Sequence, residues 1–242
     1  MKRASELFNT QDMESVAAAI AAAERITAGE IVPVVATVSG RYDRAEDLFG
    51  LLFGVVALSV AWLLFQDSAQ TAWSATPTPV LGLAAIVGIL IAGFLVGVVL
   101  ATYIPALRLP FISRAEMVEE VERRALETFQ RVRIRDTDSG TGVLIYVSLY
   151  ERVVKVIGDD AAAATLPMEA LEEICALVVD GLKQEQPAVG LVQAVKKTGE
   201  LLAPNLPPTP NDTNELANQL IVIDWGRRAS VNRLSSAVGS MR

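Results

Sequence analysis

The chain has 242 residues, 52% of them hydrophobic, and a formal net charge of −7 from 21 Lys and Arg against 28 Asp and Glu. That balance lacks the basic footprint a general nucleic-acid binder needs to neutralise phosphates, so no nucleic-acid partner is expected. The absence of any histidine removes Ser-His-Asp and Cys-His catalysis and HExxH metal sites together.

Lys2 and Arg3 precede a polar segment, which is not the charged-then-apolar pattern of a signal peptide. From Gln11 to Thr27 the spacing of Met13, Val16, Ile20 and Ala23 predicts a helix. Asn9 or Thr10 can cap it, and Asp12 and Glu14 suit its first turn. Glu30 to Val38 is a β-branched run, in which Pro33 suggests an edge strand or a strand start.

Two charge-free apolar runs follow, Leu48 to Phe65 and Val80 to Tyr103. About 20 such residues cross a bilayer core, so the pair is expected to form a transmembrane hairpin, making the lipid bilayer a partner. Gly93 and Gly97 form a GxxxG in the second run, suited to close packing on the first span, with a dimer seam as the alternative. Trp62, Trp73 and Tyr103 lie near the span ends, as interfacial aromatics do. The short connection carries no Lys or Arg, whereas Arg41, Arg44, Arg108 and Arg114 flank the hairpin. The positive-inside rule therefore predicts a two-pass protein with both termini and the soluble parts cytoplasmic.

Ser113 and Glu116 make a capping box before a helix whose apolar face is Met117, Val118, Val121, Ala125 and Phe129. Gly142 to Leu149 and Val153 to Ile157 read as a β-hairpin turning at Tyr150-Glu151-Arg152. Pro167 to Leu182 and Ala188 to Leu202 read as helices, and Leu216 to Ile223 as a last short strand. The lone cysteine, Cys175, falls in the apolar pattern Leu171, Ile174, Val178 and is expected as a small buried hydrophobe. Because a lone helix and strand cannot be stable, the first strand must pair beyond the insertion, and the alternation of elements predicts an α/β sandwich with a mixed sheet. The expected segments are a first part of the domain at 1–47, the hairpin at 48–103, the remainder at 104–223 and a basic tail at 224–242. From Trp225 on, the tail has four arginines and no acid, and is expected either to be disordered or to lie on anionic lipid.

Several stretches together are similar to the TPM domain family. They are Glu24-Arg25-Ile26-Thr27-Ala28-Gly29-Glu30-Ile31, Thr141 to Arg152, Val154 to Asp160, Gly190-Leu191 with Gly199 to Leu202, and Asn214 to Asn218. The chain most resembles the bacterial subset with a membrane hairpin inside the domain. The resemblance implies a three-layer α/β/α sandwich, a domain sometimes labelled a phosphatase, and calcium binding as described for some relatives.

Asp159 and Asp160 follow a strand end, Glu30 opens the first strand, and Asp212 and Glu215 lie in the late loop. If these five converge, carboxylate oxygens would suit a hard cation such as calcium or magnesium; otherwise they are solvated turn and cap residues. Asp136 to Thr141 approaches two known motifs. Gly140 stands where the DxDxT phosphatase motif needs Thr, and a calcium loop would need a further ligand and a distal Glu, so a polar turn is expected. With no catalytic set defined, the expected function is a membrane-anchored interaction module in the assembly or turnover of a membrane complex. The alternative is a metal-dependent phosphatase using carboxylate ligands.

Overall fold

The computed structural model describes residues 2–65, 81–132, 141–208 and 217–224. The chain divides into two units, Met1–Gly40 with Met117–Arg242, and Arg41–Glu116. The loop at 66–80 with Trp73, most of Asp136 to Thr141, and the tail from Trp225 fall outside the described residues, as does the start of the late loop.

The first unit holds a four-stranded mixed sheet in the order β3-β2-β1-β4. Strand β1 (Ile31–Ala36) pairs in parallel with β2 (Val143–Ser148) from Ile31↔Val143 to Ala36↔Ser148. Strand β3 (Val153–Gly158) returns antiparallel beside β2, and the three-residue β4 (Ile221–Ile223) lies parallel on the other flank of β1. The last strand is therefore much shorter than the apolar run from Leu216 suggests.

Pro33 also departs from expectation, because β1 is an interior strand. Alternate residues of β1 face opposite neighbours. The carbonyls of Glu30 and Ala36 accept from Val143 and Leu149 beside β2, while Thr37 N–H donates to Ile223 O beside β4. Pro33 belongs to the set facing β4, and that ladder starts one residue later, at Val34↔Ile221. Its missing N–H therefore costs no ladder bond.

Both inner strands are buried on both faces, as parallel strands between helical layers are. On one face Ile31, Val35, Ile145 and Val147 pack against α2 (Thr10–Glu24), α7 (Met168–Lys183) and α8 (Pro187–Leu202). On the other, Val32, Val34, Leu144 and Tyr146 meet Val121, Ala125 and Phe129 of α5 (Arg114–Arg131). This is the three-layer α/β/α arrangement. Asn9 caps α2 through a reciprocal pair with Asp12, at 2.9 and 3.0 Å. Cys175 is half-buried, its thiol pushed up by burial and 3.8 Å from Val154 O. Two short helices were not expected, α1 (Ala4–Leu7) and α6 (Asp160–Thr165).

The second unit is built on α3 (Asp43–Phe65) and α4 (Leu83–Tyr103), both long and apolar enough to cross a membrane. Only 17% and 11% of their most apolar windows are buried, the reverse of a soluble core helix. Their seam consists of two facing glycine pairs. A Cβ on Gly93 would lie 2.8 Å from Gly54 Cα, and one on Gly97 2.8 Å from Gly50 Cα. The GxxxG of α4 is thus occupied inside the hairpin by a second GxxxG on α3. Replacing Gly93 by Ile is expected to force the helices apart at a cost of about 1–3 kcal/mol, read as a lower melting temperature in detergent. Gly88→Ile, whose Cβ would meet nothing within 4 Å, is expected to leave that temperature unchanged.

Candidate functional site

Two of the carboxylates singled out in the sequence, Glu30 and Asp159, lie along the amino edge of the parallel strands. Glu30 directly precedes β1, and its carbonyl accepts from Val143 N at 2.7 Å. Asp159 directly follows β3, and its N–H donates to Gly142 O at 2.9 Å. The ladder register thus aligns Glu30, Gly142 and Asp159 across three strands, placing Glu30 and Asp159 two strand spacings apart, about 10 Å. Asp159 is buried and caps α6, its Oδ1 accepting from Asp160 N at 2.8 Å; Asp160 is the exposed first residue of that helix. Asp212 and Glu215 lie outside the described residues. Among the described residues no group of three or more Asp, Glu or Cys side chains gathers closely enough to hold a metal ion. Asp159 ends an antiparallel strand, so its edge is the opposite one from the carboxyl ends of parallel strands, where α/β sheets usually bind ligands.

The same edge contains a residue that the sequence did not single out. Glu24, at the end of α2, reaches the start of β1, its Oε1 3.5 Å from Ile31 N. It meets Glu30 there, and the Oε2 atoms of both are enclosed. Burial, then the nearby Glu30 carboxylate, push the Glu24 carboxyl up to about 8, while Ile31 N–H and Asn218 oppose the shift. Two acids enclosed in one place cannot both ionise cheaply, so the protonated form of Glu24 is favoured at neutral pH. Only the fold brings them together: six residues apart in sequence, they meet because Thr27 and Ala28 are tied to Leu206 O by hydrogen bonds of 2.8 and 3.0 Å.

The carboxyl edge of β1 and β2 is closed by a buried polar network that the sequence also hid. Glu151 Oε1 accepts from Ser39 N at 3.0 Å and Gly40 N at 2.9 Å, and Oε2 accepts from the Ser148 hydroxyl. The Ser39 hydroxyl bonds Tyr146 Oη at 3.0 Å and Ser148 Oγ at 2.6 Å, while Arg124 Nε donates to Ser39 O at 3.1 Å. Burial foremost, with the Glu151 charge adding, raises the Tyr146 phenol; its bond to Ser39 and the Arg124 charge act against this. Each bond to the buried carboxylate is worth about 1.5–3 kcal/mol. The network fixes Ser39 and Gly40, the last residues before the chain leaves this unit.

The family model described as the TPM domain matches residues 111–201. By that match, this stretch is similar to the TPM domain family. The match covers α5 to α8 with β2 and β3, while α2 and β1, outside it, complete the same sheet and core. The NMR structure of the BA42 protein from the psychrophilic bacterium Bizionia argentinensis is similar at a TM-score of 0.54 and 17% identity, covering 93% of this chain and 100% of that one. At that identity the likeness establishes the fold alone. None of the curated proteins matches the chain.

The amino edge of this domain is expected to carry a pH dependence. Between about 4.5 and about 8 the folded chain holds the Glu24 proton that the unfolded chain releases. Stability from this group is therefore expected to fall as pH rises through that window and to level off above it. Thermal melts across the window should show the slope in the native protein and its loss in Glu24→Gln.

Proposed function

We propose that the chain is a membrane-anchored TPM domain that holds a protein partner during assembly or turnover of a membrane complex. The observation that carries the anchoring is the hairpin of α3 and α4, glycine-packed along its seam and apolar on its outward surface. The Asp159 side chain accepts from Asp160 N as the cap of α6, a structural role that favours holding over cleaving. Crosslinking in intact membranes, followed by detergent extraction and capture of the full chain, is expected to recover the same membrane-protein partner repeatedly. Capture of the chain alone in every preparation would overturn the reading.

The orientation in this proposal has both termini and the TPM domain in the cytoplasm. Arg41, Arg44 and Arg114 are exposed at the hairpin flanks and support it. Arg108 counts for less, because its guanidinium turns inward to Glu46 at 2.9 Å. In a Cys175→Ala background, a cysteine replacing exposed Gln184 is expected to resist a membrane-impermeant maleimide on intact cells and to react once they are opened. One replacing Ser68 is expected to react from outside. The reverse pattern would invert the topology.

A further inference from the structure

The second unit has a third component, the 3₁₀ segment Pro105–Phe111 that follows α4. It folds back along α3 rather than running on from the helix. Arg108 bonds Glu46, which also accepts from Thr102 at 3.0 Å, and the Phe111 ring meets Phe49 edge-on at 6.3 Å. Phe49 lies six residues into α3, about 9 Å along its axis, and just inside the charge-free run. The segment therefore descends beside α3 from its last charged positions to the first turn of its apolar stretch.

The side-chain arrangement is inverted relative to a water-facing surface. The one charge in the segment, Arg108, is 16% exposed and paired inward. Facing outward are Tyr103 at 80%, Ile104 at 46% and Leu109 at 43% exposure, together with Ala106 and Pro110. This charge-free face is continuous in sequence with the outward apolar surface of α4, which ends at Tyr103. An aromatic at a span end followed by an apolar face with its charge turned away matches the boundary between headgroups and acyl chains.

We propose that Pro105–Phe111 is a lipid-binding element, lying in the headgroup–acyl boundary of the leaflet that the open end of the hairpin enters, with Ala106 and Leu109 against lipid. The Glu46–Arg108 pair is what permits this, because it removes the segment's only charge from the lipid-facing side. The proposal rests on the membrane reading of α3 and α4, and the test separates the two.

The test uses the full chain with Cys175→Ala and one added cysteine, at Ala106, Leu109, Val56 or Gln184, each carrying an environment-sensitive fluorophore. The folded proteins are placed in phosphatidylcholine vesicles containing lipids with a nitroxide near the headgroup or deep in the acyl chain. Labels at 106 and 109 are expected to be quenched about twofold more by the shallow nitroxide than by the deep one. The label at 56 should show the opposite preference, and the label at 184 should respond to neither. Quenching at 56 with none at 106 and 109 would overturn the lipid-bound segment while leaving the spanning hairpin in place. No quenching at 56 would overturn the hairpin reading and this proposal with it. Because 106 and 109 both face outward, failure of one variant to fold leaves the other to decide.

Discussion

The parallel ladder between β1 and β2 joins two stretches of chain separated by the whole apolar insertion, and the rest of the molecule is arranged around it. Without β2, the first strand has only the three-residue β4 beside it and α2 loses half of the sheet layer it covers. With it, Ile31 and Val35 continue a layer begun by Ile145 and Val147, and α2 closes over them. The hairpin is thus an excursion within one sheet. The chain departs at the carboxyl end of β1 and comes back through α5, the helix that covers the opposite face.

Polar groups are sorted between the two ends of that ladder. At the carboxyl end, Glu151 accepts from the Ser39 and Gly40 N–H groups and holds both residues in a fixed place. At the amino end, Glu24 and Glu30 share a confined space in which one of them remains protonated. One end is tied down because both oxygens of Glu151 have donors. The other depends on the proton concentration, because two acceptors compete for one proton. At the rigid end Arg124 adds a bond from its Nε to the Ser39 carbonyl.

Much of this was legible in the sequence because the signals were periodic or chemical. The apolar runs announced α3 and α4, β-branched runs announced β1 and β2, and Ser113 and Asn9 announced helix starts. The facing glycines were half legible: Gly93 and Gly97 stood out, but their partners Gly50 and Gly54 became meaningful only once the helices were side by side. Pro33 misled, since a missing amide usually marks an edge, and only the stagger of β4 explains its place in an interior strand. The candidate site was legible as an edge and not as a constellation. Glu30 and Asp159 do share a level of the sheet, yet Glu24 was invisible because it approaches from a helix end. The Glu151 network was hidden for a related reason: Ser39, Tyr146 and Ser148 look like ordinary strand residues until two strands and a turn bring them together.

The position of Pro33 has a consequence for synthesis. At about 5–20 residues per second, β1 leaves the ribosome on the order of ten seconds before β2 exists to pair with it, and the apolar insertion is made in between. During that interval Ile31–Ala36 is an uncharged, largely β-branched hexapeptide, the kind of segment that pairs with any open strand it meets. A proline in its middle removes one donor from any mispairing along the edge it faces, while the native sheet, whose β4 ladder begins just past it, loses nothing. The residue that looked out of place in the finished sheet acts as a guard for the strand while it waits.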